Sequence, residues 1–96
     1  MSTTNTLTWN KNPEADVAKY NIYRSVGTAP TKVAANLFAS VPSTVLTYVD
    51  TVTADGDYFY GITAVDTSNN ESLLSATVPK VVDLVPPTPP TGLVVV

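Results

Sequence analysis

Apolar and polar side chains alternate with period two along several short stretches of the chain, the mark of half-buried strands. The clearest stretch sets Tyr58, Tyr60, Ile62 and Ala64 against Phe59, Gly61, Thr63 and Val65. One of these faces is apolar throughout and the other is mixed, which suits a central strand of a sandwich. Val17 to Ser25 repeats the pattern, with Tyr20, Ile22 and Arg24 on one face and Lys19, Asn21 and Tyr23 on the other. Leu7-Thr8-Trp9 reads as a short strand, and Thr44 to Asp50 as another. Ser75 to Val82 carries Pro79, which restricts it to a sheet edge or a bulge. Thr31 to Phe38 fits a short strand or one loose helical turn equally well. Between these runs stand turn formers: Asn10 to Asp16 around Pro13, Val26 to Pro30, Pro42-Ser43, Asp55-Gly56-Asp57 and Asp66 to Glu71. No helical stretch is long enough for a βαβ unit. Six or seven short strands separated by turns predict an all-β sandwich.

Composition agrees with that pattern and removes most chemistry from it. Ninety-six residues make one domain, and 44% apolar against 14% charged residues excludes disorder over the whole length. Fifteen Thr and fifteen Val supply β-branched side chains, stiff at χ1 and suited to a pleated surface. With no His and no Cys, the usual nucleophile–base pairs, zinc sites and disulfides are missing. No apolar run reaches the roughly 18 residues of a membrane span, so no membrane insertion is expected. The net charge is −3, and Lys11, Lys19, Arg24, Lys32 and Lys80 are scattered rather than gathered into a basic stripe. That argues against nucleic acid as a partner. Met1 to Asn5 has neither a basic nor an apolar signal-like region, which places any secretion signal outside these residues.

Asp50, Asp55, Asp57, Asp66 and Glu71 raise the question of calcium, but they lack EF-hand spacing and stand where turns favour Asp. They are read as solvated turns, so no metal, cofactor or catalytic residue is assigned. The same carboxylates make a poor glycosidase, since no substrate-binding aromatic cluster accompanies them. Tyr20, Tyr58 and Tyr60 are expected in the core. Tyr23 and Phe59 are the aromatic residues free to face outward, and they are the candidates for contact with a polysaccharide or protein surface. Asn70-Glu71-Ser72 is a glycosylation sequon, meaningful only in a secretory host. No Arg-Gly-Asp occurs.

In order along residues 6 to 82, these pieces resemble a fibronectin type III module of bacterial and archaeal extracellular proteins. The resemblance rests on Leu7-Thr8-Trp9, Asp16-Val17, Tyr20 to Ser25, Tyr48-Val49-Asp50, Gly56 to Asp66 and Asn70-Glu71-Ser72. It implies an immunoglobulin-like sandwich of about seven short strands, with B at 6–10, C at 17–25, C′ at about 31–36, E at 44–49, F at 57–66 and G at 75–82. It also implies Trp9 as the central core tryptophan and Tyr58 as a tyrosine-corner residue whose hydroxyl ties back to the preceding loop. An extracellular or cell-surface location follows from the same resemblance.

One piece is displaced. The family opens with a Pro-rich lead and strand A of the form Pro-x-x-Pro-x-Gly-Leu-x-Val. Nothing before Leu7 fits that form, whereas Pro86 to Val95 copies it at the other end of the chain. Residues 1–82 then form the sandwich core, 83–91 a Pro-rich linker, and 92–96 a strand-A-like segment that completes its own or a neighbouring sandwich. Without strand A, strand B is an exposed edge, and the apolar tail has nothing of its own to pair with. Asp83 to Pro90 spans about 25 Å as a polyproline-type segment. That is borderline for returning along a strand of about 20 Å, and the prolines resist bending. The interface of such a strand donation would consist of Gly92, Leu93, Val94, Val95 and Val96 against Leu7 and Trp9.

Three functions follow as expectations. The first is a non-catalytic structural, spacer or adhesion module of a repeated extracellular protein, whose partners are neighbouring modules. The second is a subunit that joins copies of itself head to tail by donating its C-terminal strand. The third is a carbohydrate- or protein-binding module attached to a secreted enzyme.

Overall fold

Tyr58, Tyr60 and Val65 are buried along the longest strand, β5 (Gly56–Asp66), and the rest of the architecture is arranged around it. This computed structural model describes residues 2–95. Before β5 come β1 (Thr3–Thr8), β2 (Val17–Val26), a single 3-10 turn (Ala34–Asn36), β3 (Leu37–Pro42) and β4 (Thr47–Val52). After it comes β6 (Val78–Val82). All pairings are antiparallel, in a sheet of order β3-β2-β5-β6 and a second sheet of β1 and β4. The chain is thus all-β, and the packing of one sheet on the other is that of a β-sandwich.

Several boundaries differ from those expected. β1 begins at Thr3, before Leu7, because Asn5 finds a buried partner and the threonines favour extended backbone. The stretch around 31–36 holds the 3-10 turn rather than strand C′, and the strand follows at Leu37–Pro42. Val45 N donates to the Pro42 carbonyl in a turn, which delays the next strand to Thr47. β6 is shorter than 75–82 and lies at a sheet edge, where Pro79 leaves no ladder bond unmade.

Both faces of the four-stranded sheet are covered around β2 and β5. Inward, Tyr20 and Ile22 face the second sheet, and Val52, Tyr58, Tyr60 and Val82 form a cluster with Leu7 and Leu84 against it. Outward, residues 71–75 run beside β5, with Ser72 N bonded to Ala64 O and Ser75 N to Ile62 O. Leu74 lies so close to Gly61 that a Cβ there would stand 2.9 Å from its Cδ1.

The two sheets are unequal. β4 lies over β2 and β3, where Asp50 meets Arg24 and the rings of Tyr48 and Phe38 stand 6.0 Å apart. β1 lies over β5, through Asn5 and Tyr60. Among the described residues no strand lies opposite β6. Its residues opposite Tyr58 and Tyr60 are Lys80 and Val78, so these share the inward face, yet Val78 is 63% exposed.

Strand direction fixes where the chain leaves. Thr3 pairs with Val52, and Val82 with Gly56, so β1 starts and β6 ends at the same pole, beside the β4–β5 turn. Leu84 N is held there by Asp55 Oδ1 at 2.6 Å. An 11-residue strand is about 37 Å long, whereas the molecule measures 73 × 23 × 19 Å. Residues 85–95 account for the excess: they have no regular structure, and Leu93, Val94 and Val95 lie open to solvent.

Candidate functional site

Along β1 the odd positions turn inward and the threonines at 4, 6 and 8 turn outward. Leu7 is half-buried against the Tyr58–Tyr60 cluster. Trp9, just past the strand, packs edge-on against Tyr20 with ring centroids 5.7 Å apart. Among the described residues β1 is hydrogen-bonded only to β4, so its other edge presents free backbone groups. Between that edge and the inward face of β6 runs a groove of about 610 Å³, walled by Asn5, Leu7, Trp9, Ile62, Val78 and Lys80.

Core residues report the same opening. Of the inward-facing Trp9, Tyr20, Ile22, Tyr60 and Ile62, three are buried and two, Trp9 and Ile62, are only partly so. Those two line the groove. Asn5 Oδ1 and Trp9 Nε1 are buried there without a hydrogen-bond partner among the described residues. The structure therefore brings Leu7 and Trp9 together at one open edge. Leu93 (92% exposed), Val94 and Val95 (98% exposed) stand away from it, as does Gly92. Val96 lies outside the described residues.

Two polar clusters were not foreseen. Inside the sandwich, Tyr60 Oη accepts from Asn5 Nδ2 at 2.9 Å and donates to Asp50 Oδ2, which also takes Arg24 Nη1 at 2.9 Å. The guanidinium lies over the Phe38 ring, 3.9 Å from its centroid. Burial first, and then the bond to Asp50, push the Tyr60 hydroxyl up to about 12, although the Asn5 bond acts in the opposite sense. The signal was present in the alternation: Arg24 falls on the apolar face of β2, and a cation on that face calls for an acid opposite.

On the outward face, Glu71 Oε2 accepts from Asn21 Nδ2, Tyr23 Oη and Thr63 Oγ1 at 3.2, 2.5 and 2.6 Å. Burial pushes this carboxyl up, but the hydrogen bonds of Thr63, Tyr23 and Asn21, helped by the charge of Lys32, outweigh it and hold it below its ordinary value. Tyr23 is consequently 4% exposed and offers no ring face to a ligand, which corrects its reading as a surface contact. Phe59 is half-buried, opposite Ser25 and Pro79.

The carboxylates considered for calcium are spread through the fold. Asp50 faces the core, Asp55 caps Leu84, and Glu71 serves the outward cluster. Asp66 accepts from Ser68 N, Asn70 N and Asn70 Nδ2, chiefly Asn70, and these bonds hold it below its ordinary value. Asn70 of the sequon is engaged in that loop. Among the described residues no group of three or more metal-ligating side chains gathers. Comparisons with family models, curated proteins and solved structures gave no match.

Proposed function

We propose that the chain is a non-catalytic structural module of the fibronectin type III kind, a spacer or adhesion unit of a repeated protein at the cell surface or outside the cell. The observation that carries this reading is the strand arrangement, first and fourth in one sheet against third, second, fifth and sixth in the other. Crossing between sheets in this way is the habit of immunoglobulin-like sandwiches. Support also comes from Tyr58, whose hydroxyl donates to the Ala54 carbonyl at 2.9 Å, a tie of the tyrosine-corner type. The polar clusters serve packing, and the module's work is spatial.

A test is small-angle scattering from fusions of two, three and four copies, each tail continuing into the next Ser2. The maximum dimension should grow by a constant increment per copy. A fusion that folds back to a compact particle would remove the spacer reading. One further observation, that the same chain has both an open edge of β1 and, away from it, an exposed apolar tail, favours the second reading of a subunit that donates its C-terminal strand.

A further inference from the structure

We propose that the groove between β1 and β6 is a docking site for the C-terminal segment Leu93–Val95 of a second copy, which enters as a third strand antiparallel to β1. This inference deepens the structural reading above and rests on it. The gap is one strand wide: two strands face four, β4 and β1 cover β3, β2 and β5, and the space above β6 is vacant. Its walls are apolar where a strand's side chains would reach, at Leu7, Trp9, Ile62 and Val78. Its rim is the unpaired edge of β1, which supplies main-chain hydrogen bonds to an added strand.

The segment suited to it is the tail. Leu93 and Val95 fall on one side of an extended chain and Val94 on the other, so the first two meet the groove together. Gly92, at φ +77°, occupies the left-handed region and lets the backbone change direction between the stiff Pro86–Pro90 run and the strand.

Direction decides whose groove is filled. The tail leaves at the pole where β1 begins, held forward by the Leu84–Asp55 bond. A strand antiparallel to β1 must enter at the opposite pole, beside Thr8 and Thr47. To enter its own groove the tail would travel the length of the sandwich and then reverse, with four prolines resisting the bend. A copy stacked beyond it in the same orientation presents its entry pole first. The thirteen residues 83–95 extend for about 40 Å, enough to cross the junction and lie in the groove. The contact joins two different surfaces and does not close, so repetition makes a head-to-tail filament.

The test uses the full chain, with variants blocked on either side. Sedimentation of the wild type should show mass rising several-fold with concentration. Leu93→Asp with Val95→Asp disables the donor, and Val78→Arg disables the acceptor at an exposed position. Each alone should remain monomeric, while an equimolar mixture should give a one-to-one heterodimer, because each retains what the other lacks. Trp9, the single tryptophan and part of the groove wall, gives an independent readout. Its emission should shift to the red as the wild type is diluted and should not depend on concentration in the donor variant. A wild type that stays monomeric at every concentration overturns the proposal, whether the amides of 93–95 exchange freely or are protected by closure within the chain. A blocked pair that fails to form the heterodimer overturns it as well. In each of these cases the fusion experiment still decides the spacer reading separately.

Discussion

Arg24 and Asp50 share a hydrogen bond but not a situation: Asp50 is 3% exposed, while the Arg24 side chain reaches solvent at 26%. Removing the cation strands a buried charge, whereas removing the acid leaves a guanidinium that can turn outward along its stem. Arg24→Met, which keeps packing over Phe38, should therefore cost about 3 kcal/mol in urea unfolding. Asp50→Asn should cost nearer 1 kcal/mol. Glu71 bears on acid stability. Its carboxyl lies lower in the folded chain than its ordinary 4.5, so its contribution is present above that pH and is lost as pH falls through the folded value. Glu71→Gln should flatten the acid side of a stability–pH profile. Tyr60 acts in the opposite direction. Its hydroxyl is raised from 10.0 to about 12, so its contribution is present below pH 10 and is lost as pH rises through 12. Tyr60→Phe should abolish that alkaline loss, and it should cost about 2 kcal/mol at neutral pH by leaving Asn5 and Asp50 short of a partner.

At the scale of elements, β5 depends on what lies beside it. Leu74 presses on Gly61, so Gly61→Ala should lever the 71–75 segment away and cost about 1 kcal/mol, with faster hydrogen exchange at the amides of Ser72 and Ser75. β2 and β5 were legible from alternation alone, because large apolar side chains recur at every second position, Tyr20 and Ile22 in one and Tyr58, Tyr60 and Ile62 in the other. β3 was not. Leu37, Phe38 and Val41 lie on an edge strand, and Phe38 is held by a cation rather than by a core, so no clean period marks it. β1 was foreseen only in part: its inward Asn5 looks like a loop residue until its partner Tyr60, 55 positions away, is known. Leu7 and Trp9 were expected at an open edge only through the resemblance that makes residues 92–96 strand-A-like, and β1 is found paired on one side, with β4. The burial of Tyr23 was not legible, since it follows from Glu71, a residue of a loop that only folding brings across the sheet.

For the whole molecule, the proposed strand donation would tie stability to association. A groove filled by an incoming strand would gain stability by mass action, so under that proposal the thermal midpoint of the full chain should climb with protein concentration. A chain lacking Leu93 to Val96 should show one midpoint at all concentrations, and calorimetry of the two side by side measures the difference. β1 and β6 reach the same pole, which also determines how the fold bears load. Tension applied at Thr3 and Val82 acts at one end of the sandwich and opens its ladders a bond at a time, like a zipper. A strand arriving from the opposite pole would put the line of pull along the length of the groove and load its bonds together in shear. The same ninety-six residues would then yield easily when held by their own ends and resist when held through a neighbour.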